Sequence, residues 1–449
     1  MRRGRRRGKV KALDLDEYVS SLKNKRVAVI GIGVSNMPLI RLLRDAGVDV
    51  TARDREKKGE ELNVRLITGE GYLDGIDEDV VFRSPGIRPD RIRLRPGAVL
   101  TSEMEAFFEL CPCPIIGVTG SDGKTTTATV TARLLEAAGK KVWLGGNIGR
   151  PLLADCGSIS PGDRAVVELS SFQLMSMRRS PQTAIITNIA PNHLDWHTSM
   201  DEYVQAKKNI FLHQKPGDVF VTNADNAVTR SFASESTRFF SMKEKPEHGC
   251  VYDGENIYYD GEEIVKRRDI LLPGDHNIEN YMAAFAAVYD TVGKEVCVKT
   301  ARSFAGVEHR IELVRELRGV RYYNDSIASS PSRCIAGLRS FEGRVILIAG
   351  GYDKHIPYDV LGPVINEKVK TLVLTGQTAP KIKEAVLAAA GEKPRIIETD
   401  DFRQAVLAAA ASAEAGDAVL LSPASASFDK FKNFEERGNY FKKTVSELK

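Results

Sequence analysis

The chain has 449 residues, of which 42% are hydrophobic and 28% are charged, which is typical of a globular protein of about three domains. No apolar run approaches the roughly 18 residues of a membrane span, which argues against an integral membrane protein. The net charge of +4 includes seven positive charges in MRRGRRRGKVK, residues 1–11, so the rest of the chain is slightly acidic.

The N-terminus and the cysteines bear on where the protein acts. The basic run at residues 1–11 could bind nucleic acid or anionic lipid, but a solvated, disordered extension is the simpler interpretation. It does not resemble a secretory signal, because DLDEYVSSLKNK follows where an apolar segment is needed. The six cysteines include one CxC pair and no CxxC pair, which argues against a disulfide framework or a zinc site and favours a reducing cytoplasm.

Strand-like apolar runs alternate with helix-like segments in three successive units, which predicts an α/β fold. The first unit begins with RVAVI, followed by GIGVSN, PLIRLLRDAG and the strand VDVTARD. The second begins with PIIGVTG and continues with AVVELSS and TAIITNIA, and the third contains GVRYYND, RVILIAGG, TLVLTG and AVLLSPA. We place boundaries near residues 102 and 306. They predict a Rossmann-like domain at 1–102, a central parallel-sheet domain of the P-loop ATPase type at 103–306, and a Rossmann-like C-terminal domain at 307–449.

The segment VTGSDGKTTT, residues 118–127, is typical of a phosphate-binding loop. A strand, a glycine-bearing turn and Lys-Thr at the start of a helix direct backbone N–H groups at anionic oxygens. Lys124 would contact the outer phosphates, and the Thr125 hydroxyl would bind Mg²⁺. The match to GxxxxGK[ST] is imperfect, because Val118 stands at the first glycine position. The segment predicts nucleotide binding but does not identify the reaction.

Two further residues belong to the same predicted site. Glu168 ends a buried-looking strand, where it could share Mg²⁺ with Thr125 or simply pair with a neighbouring side chain. In DEYVQAKKNIF, residues 201–211, the helical period places Lys207 in the middle of an apolar stripe and Lys208 at its rim. A buried lysine is costly, so either its ammonium reaches solvent along the surface or CO₂ converts the amine to an anionic carbamate able to bind Mg²⁺. The pattern alone does not decide between these two.

Eight motifs in chain order resemble the Mur ligase family over residues 26–443. They are VTGSDGKTTT, GGNIGRPLL, VELSSFQL, NHLDWHTSMDEYVQAKKNIF, GDHNIEN, EHRIE, YYNDS and LSPASASFDKFKNFEERG. The resemblance implies an ATP-dependent ligase that phosphorylates a carboxylate and captures the acyl phosphate with an amine. It is closest to the branch that adds D-glutamate to UDP-N-acetylmuramoyl-L-alanine in peptidoglycan precursor synthesis. It implies a cytoplasmic monomer with small-molecule substrates, two Mg²⁺ ions and a CO₂-derived carbamate on Lys207, without nucleic-acid or membrane partners.

The resemblance also implies roles for individual residues. The catalytic and metal-binding set would be Lys124, Thr125, Glu168, His193 and Lys207 as the carbamate. ATP would contact Gly120, Ser121, Asp122, Gly123, Lys124, Thr125, Thr126, Asn277, Asn280, Arg310 and Asp325. The UDP substrate would contact Gly33, Ser35, Asn36, Asp54, Arg55, Ser84, Pro85, Gly86, Asn147, Ser170 and His193. D-glutamate would contact Ser329, Lys354, Ser427, Phe428 and Phe434.

Some features of the chain leave alternatives open. GIGVSN with Asp54 imitates a dinucleotide fingerprint, but Asn36 replaces the third glycine, so the evidence for NAD is weak. Ile327 stands where the family often has a lysine, so the cations around D-glutamate are in doubt. The spacing of Phe428, Phe431 and Phe434 also fits the core face of a helix. The alternative functions are a sister ligase for another amino acid, a folylpolyglutamate synthetase and, from another class, a regulatory P-loop NTPase.

Overall fold

The computed structural model describes residues 14–194 and 196–449, so the predicted basic tail lies outside the described residues. The described chain is α/β and forms three sheets, as the sequence predicts. By its internal contacts the chain divides into two compact units, Met1–Ile264 with Glu279–Thr300, and Val265–Ile278 with Ala301–Lys449. A search of the described residues finds no helix with the length and apolar character needed to cross a membrane.

The first sheet belongs to the first unit and is entirely parallel. Its strands are Arg26–Ile30 (β1), Asp49–Asp54 (β2), Arg65–Thr68 (β3), Val80–Arg83 (β4) and Val99–Thr101 (β5), in the order β3-β2-β1-β4-β5. The helices are Leu15–Leu22 (α1), Met37–Asp45 (α2) and Glu103–Leu110 (α3). Val27 and Val29 of β1 pack in one core cluster and Ala28 and Ile30 in another, so the sheet is covered on both faces.

The second sheet has nine strands. They are Ile115–Thr119 (β6), Val142–Gly146 (β7), Arg164–Glu168 (β8), Thr183–Ile186 (β9), Val219–Asn223 (β10), Thr237–Ser241 (β11), Gly249–Tyr252 (β12), Asn256–Tyr259 (β13) and Glu262–Lys266 (β14), in the order β14-β13-β12-β11-β10-β9-β6-β8-β7. Strands β6 to β12 all run parallel to their neighbours in this group, and β13 is antiparallel to β12. Because β6 lies between β8 and β9, the carboxyl ends of these three strands meet at one edge.

Five helices follow strands of this sheet. They are Lys124–Ala137 (α4), Ser171–Leu174 (α5), Met200–Lys208 (α6), Ala227–Arg230 (α7) and Asp275–Ser303 (α8). Helix α8 is interrupted at Gly293, where φ is 74°. Short 3-10 helices lie at Glu60–Leu62, Pro89–Arg91, Leu153–Ser158 and Arg267–Asp269.

The third sheet belongs to the second unit. Its strands are Glu312–Leu317 (β15), Val320–Asn324 (β16), Val345–Ala349 (β17), Val369–Leu374 (β18), Arg395–Glu398 (β19) and Ala418–Leu421 (β20), in the order β15-β16-β20-β17-β18-β19. All neighbours are parallel except β15 and β16. The helices are Pro331–Arg339 (α9), Leu361–Lys368 (α10), Ala379–Ala388 (α11), Phe402–Ala411 (α12) and Phe434–Ser446 (α13). Separate core clusters on the two faces show helices covering both sides.

Candidate active site

The predicted phosphate loop joins β6 to α4 and has the backbone that its glycines allow. Gly120 has φ of 150° and Gly123 has φ of 78°. A Cβ atom at Gly120 would collide with the Thr187 hydroxyl, and one at Gly123 would collide with the Asn280 amide oxygen. The loop therefore needs glycine at both positions for conformation and for space.

Neighbouring side chains hold this loop in place. The Ser121 N–H donates to the Asn188 carbonyl at 2.9 Å, and the Asp122 N–H donates to the Asn188 side-chain oxygen at 3.0 Å. The Ser121 hydroxyl lies 2.9 Å from the Tyr203 hydroxyl of α6. Lys124 Nζ donates to the Ser121 carbonyl at 2.9 Å. The loop is thus preorganised around the start of α4, where helix N–H groups favour an anion.

Thr125 and Glu168 lie together, as the sequence predicts for two residues sharing a cation. The Thr125 hydroxyl donates to Glu168 Oε2 at 2.7 Å, and the Asn147 side-chain amide donates to Glu168 Oε1 at 2.8 Å. Glu168 ends β8 opposite Val118 of β6, and its residue is 2% exposed. This hydroxyl and carboxylate are the hard oxygen donors that suit Mg²⁺.

Lys207 is buried, which confirms the helix-stripe prediction. It is 1% exposed, and Nζ donates to the Gly120 carbonyl at 2.8 Å and to the Thr119 hydroxyl at 3.2 Å. Burial holds the pKa of Lys207 well below its usual value, and the charge of Lys124 lowers it further. Lys208 is only half-buried, with Nζ 5.4 Å from the centre of the Phe232 ring. The α6 helix ends at Lys208, three residues earlier than the stripe predicts.

The two histidines after β9 have different surroundings. His193 is exposed, has φ of 54°, and meets the Phe172 ring edge-on at 4.9 Å. His197 is 2% exposed, with Nδ1 3.2 Å from Glu202 and Nε2 2.9 Å from the Ser171 hydroxyl. Burial lowers the pKa of His197, so its neutral form is favoured. Within residues 14–194 and 196–449, no group of three or more His, Cys, Asp or Glu side chains is placed to hold a metal.

The predicted adenine and ribose contacts fall in both units. In the first unit, Asn280 Oδ1 accepts from the Thr127 hydroxyl at 3.1 Å, beside Gly123. In the second unit, Asn277 donates to the Pro273 carbonyl at 2.7 Å. Asp325 is 4% exposed and accepts from the Ser422 hydroxyl at 2.7 Å, and burial raises its pKa to about 7.

Arg310 lies in a strained stretch of backbone. Its neighbours His309 and Ile311 have φ of 62° and 45°, in the left-handed region that non-glycine residues seldom adopt. His309 is buried, with Nδ1 2.9 Å from the Asn324 amide and its ring edge-on to Phe434 at 5.9 Å. Such strain is often found at ligand sites.

In the first sheet, two of the predicted UDP contacts are buried and already bonded within the chain. Asp54 accepts from the Ile32 N–H at 2.6 Å and from the Glu56 N–H at 2.9 Å. The Asn36 amide donates to the Gly31 carbonyl at 3.0 Å. Both side chains therefore shape the glycine loop that resembles a dinucleotide fingerprint. Of the other predicted contacts, Gly33, Arg55 and Gly86 are exposed, and Ser35, Ser84, Pro85, Asn147 and Ser170 are half-buried or exposed.

The predicted D-glutamate residues differ in their exposure. Lys354 and Phe428 are exposed, Ser329 and Phe434 are half-buried, and Ser427 is buried. The alternative of a helix face through Phe428, Phe431 and Phe434 is wrong, because α13 begins only at Phe434. The loop around Ile327 still has a cation nearby, because Arg333 donates to the Ile327 carbonyl at 3.3 Å.

Comparison with known proteins identifies the family. The Mur ligase middle domain matches residues 118–288, and the Mur ligase glutamate ligase domain matches residues 309–425. UDP-N-acetylmuramoylalanine--D-glutamate ligase of Acetivibrio thermocellus is 52% identical, with 97% of this chain and 99% of the relative covered. The protein of the same name from Ruminiclostridium cellulolyticum is 50% identical with the same coverage. The chain belongs to the Mur ligase family.

Solved structures agree with the fold of this Mur ligase. MurC, the UDP-N-acetylmuramate-alanine ligase of Thermotoga maritima, matches with a TM-score of 0.59 and 18% identity, covering 95% of this chain and 100% of that chain. MurF ligase of Thermotoga maritima in complex with ADP matches with a TM-score of 0.56 and 18% identity, covering 95% and 96%. At these identities the similarity concerns the fold alone.

Sequence reasoning missed several residues that support the site of this Mur ligase. Asn188 and Tyr203 hold the phosphate loop, the buried Arg83 donates to the Ser176 hydroxyl, and Arg88 pairs with Glu202. Asn188 could have been noticed because it lies two residues after the buried strand β9, where polar side chains of α/β sheets collect near ligands. The arginines carry no such local signal.

Proposed function

We propose that this Mur ligase joins D-glutamate to UDP-N-acetylmuramoyl-L-alanine, converting ATP to ADP and phosphate, in peptidoglycan precursor synthesis. The observation that carries the proposal is the identity of about half of all residues, over nearly the full length, with ligases of that name. The preorganised loop between β6 and α4, with the Thr125–Glu168 contact beside it, supports the use of ATP.

The proposed reaction has two steps. An oxygen of the alanyl carboxylate attacks the γ-phosphorus of ATP, and ADP leaves. The unprotonated amine of D-glutamate then attacks the carbonyl carbon of the acyl phosphate, loses a proton, and phosphate leaves with the original carboxylate oxygen. The chain contributes mainly position and charge, as in other phosphoryl transfers. Lys124 and the first N–H groups of α4 would offset the phosphate charge, while Asn188 and Tyr203 keep the loop fixed.

We propose that Thr125 and Glu168 hold Mg²⁺, because their oxygens already lie 2.7 Å apart at the start of α4. When bound, the ion would reduce the repulsion between the triphosphate and the incoming carboxylate. His193, predicted to hold a second ion, stays a prediction.

A carbamate on Lys207 is also a proposal. The neutral amine would add to CO₂ and release one proton, giving an anionic group near Thr119 and Gly120. Burial and the charge of Lys124 favour the neutral amine that this addition requires. The carbamate would add oxygen donors to those of Thr125 and Glu168, which suits a hard cation.

The remaining roles concern the substrates. We propose that the turn Ser84–Gly86, with Gly33 and Ser35, binds the UDP end, and that Asn147 lies near the reacting end. We propose that Lys354, with Ser329 and Ser427, binds the D-glutamate carboxylates, and that Arg310 and Asp325 contact ATP. The three domains with boundaries near 102 and 306, the cytoplasmic location and the monomeric state are proposals of the same kind.

The direct test of this function is a product assay with the purified full chain. ATP, Mg²⁺ and UDP-N-acetylmuramoyl-L-alanine are incubated with D-glutamate, L-glutamate, L-alanine or diaminopimelate in turn. We expect one amide and one phosphate per turnover with D-glutamate alone. Amide with another amino acid would reassign the substrate, and ATP hydrolysis without amide would favour the regulatory NTPase.

A further inference from the structure

We propose that Arg83 and Arg88 form a clamp that fixes the turn between them, Ser84–Ile87, against helices α5 and α6. These two arginines are positioning residues for the ligation, because they hold the predicted UDP-binding turn at a set distance from the proposed catalytic centre. The inference rests on the proposed function and concerns only the first unit. We refer to the two side chains as the arginine clamp.

Arg83 is the inner half of the arginine clamp. It ends β4 and is 1% exposed. One terminal nitrogen donates to the carbonyls of Ser84, Pro85 and Ile87 at 3.3, 3.3 and 2.7 Å, and the other donates to the Phe172 carbonyl and the Ser176 hydroxyl at 2.9 and 2.8 Å. Its guanidinium therefore ties the backbone of the turn directly to α5 and the residues that follow it.

Burial of the Arg83 guanidinium costs hydration free energy, which argues that this side chain has a specific structural role. Among residues 14–194 and 196–449, no carboxylate forms an ion pair with Arg83, and burial lowers its pKa to about 10. A buried charge whose hydrogen-bond partners are only carbonyl and hydroxyl oxygens loses more hydration than an apolar side chain of similar size. Its five acceptors lie in two separate chain segments, the turn at 84–87 and residues 172–176. The Arg83 side chain therefore connects these two segments.

Arg88 is the outer half of the arginine clamp. Its terminal nitrogens donate to both carboxylate oxygens of Glu202 on α6, at 2.9 and 3.0 Å, and one of them also donates to the Trp196 carbonyl at 2.8 Å. The guanidinium lies 5.2 Å from the centre of the Trp196 ring, and the Trp196 indole donates to the Gly86 carbonyl at 3.4 Å. A bidentate pair of this kind fixes direction as well as distance.

Glu202 is linked, through its own helix and through His197, to the segments that carry the proposed catalytic residues. Glu202 lies five residues before Lys207 on the same helix, and Arg88 lowers its pKa to about 2. Glu202 also contacts His197 Nδ1 at 3.2 Å, and His197 Nε2 contacts the Ser171 hydroxyl at 2.9 Å. Ser171 begins α5, three residues after Glu168. Both helices that the clamp touches are thus connected to residues of the proposed metal site.

This arrangement matters because the substrate is long and reacts at one end. The turn is proposed to hold the UDP end, whereas Glu168 and Lys207 lie where the carboxylate would react. Binding energy at a remote group accelerates a reaction only if the protein transmits position rigidly, and a misplacement of about 1 Å can cost about a hundredfold in rate. The arginine clamp provides that rigidity between two segments that are otherwise distant in the sequence.

The test uses the full chain with Arg88→Gln, Glu202→Gln and the double variant. We expect kcat for amide formation to fall about tenfold in each single variant and by less than the product of the two losses in the double variant, because both variants remove the shared Arg88–Glu202 pair. The dissociation constant of ATP should stay within twofold of the wild type. Arg88→Lys should recover part of the loss, since an ammonium pairs with Glu202 but cannot engage both oxygens.

The matched control is Arg230→Gln. This variant breaks an exposed ion pair of the same unit, in which a terminal nitrogen of Arg230 lies 2.9 Å from a carboxylate oxygen of Glu244, and it should leave kcat within twofold of the wild type. Arg83→Lys should lower kcat like Arg88→Gln; if it does not fold, the Arg88 and Glu202 variants decide alone. The clamp is overturned if those variants keep kcat within twofold, or if ATP affinity falls as much as kcat. If the wild type forms no amide, it is the proposed function that fails.

Discussion

The phosphate loop with its neighbours and the predicted amino-acid site are built in contrasting ways. Around the loop, Thr125, Glu168 and Lys207 are buried, and each is hydrogen-bonded to another part of the first unit. In the second unit, Lys354 and Phe428 are exposed on segments outside helices and strands. Buried polar groups need partners, so the first region is fixed by folding itself, whereas side chains of the second keep freedom that a ligand must remove.

This contrast predicts different consequences of mutation. A group held rigidly at the place where charge develops acts on the chemical step, and its loss should appear in kcat. Loss of a group that only binds one substrate should mainly raise the KM for that substrate.

Lys207→Ala should have the largest effect. Without the amine no carbamate can form, and we expect amide formation to fall by about a thousandfold, the upper range for loss of one preorganised electrostatic group. Added acetate or formate should restore part of the activity by supplying a carboxylate in the space left. Lys208→Ala is the matched control and should stay within about threefold, since Lys208 is only half-buried. Equal losses in the two variants, or no rescue of a folded Lys207→Ala protein, would contradict the carbamate.

Gly123→Ala should have the next largest effect, on ATP. Its Cβ would collide with Asn280, so the loop must move and the dissociation constant of ATP should rise at least about tenfold. Gly139→Ala is the control, because Gly139 has nearly the same φ, 77° against 78°, with open space around it. Both substitutions carry similar left-handed strain of about 1 kcal/mol, but only the first should change ATP binding in a titration. If both weaken ATP alike, the loop geometry is not the cause.

Lys354→Met tests the predicted amino-acid site of the second unit, where Lys354 is exposed. Loss of a charged hydrogen bond of about 1.5 kcal/mol should raise the KM for D-glutamate about tenfold. The KM for ATP and for the UDP substrate should change less than twofold. Lys443→Met, at an exposed lysine of α13, serves as the control. A fall in kcat with an unchanged KM for D-glutamate would remove Lys354 from the amino-acid site.

Asp325→Asn should have the smallest effect of these variants, and its pH dependence is followed through thermal stability. The pKa of Asp325 is raised by burial to about 7, above its usual 3.8, so between these values the folded protein keeps a proton that the unfolded chain releases. Its contribution to stability is therefore present below about pH 4 and lost as pH rises through 7. Between pH 4 and 7 the Tm of the variant should fall several degrees less than that of the wild type. Parallel Tm curves would show that Asp325 does not titrate in this way.

Local signals in the sequence predicted the parts of the site that lie next to strands. VTGSDGKTTT placed β6, the loop and α4 correctly, and the run before Glu168 placed it at the end of β8. The helical period identified Lys207 as buried because one face of α6 packs inward, as a mostly apolar stripe requires. These features depend on residues close together in the chain.

What the sequence did not predict depends on distant contacts. The strand Arg395–Glu398 is short and polar at both ends, so no apolar run marks it, and its place follows from pairing with β18. The spacing of Phe428 and Phe431 imitates a helical period, but Phe431 lies outside any helix. Its ring packs against Phe402 of α12 and Tyr440 of α13. The Arg88–Glu202 contact joins residues 114 positions apart, which no local pattern can indicate.

Activation of the alanyl carboxylate by ATP can be tested by following one oxygen atom. UDP-N-acetylmuramoyl-L-alanine labelled with ¹⁸O in both oxygens of the alanyl carboxylate is converted with ATP and D-glutamate, and the released phosphate is examined by mass spectrometry. We expect one ¹⁸O in each phosphate and one retained in each new amide, because the carboxylate oxygen leaves with the phosphoryl group. Unlabelled phosphate released together with amide would contradict activation of the carboxylate by ATP.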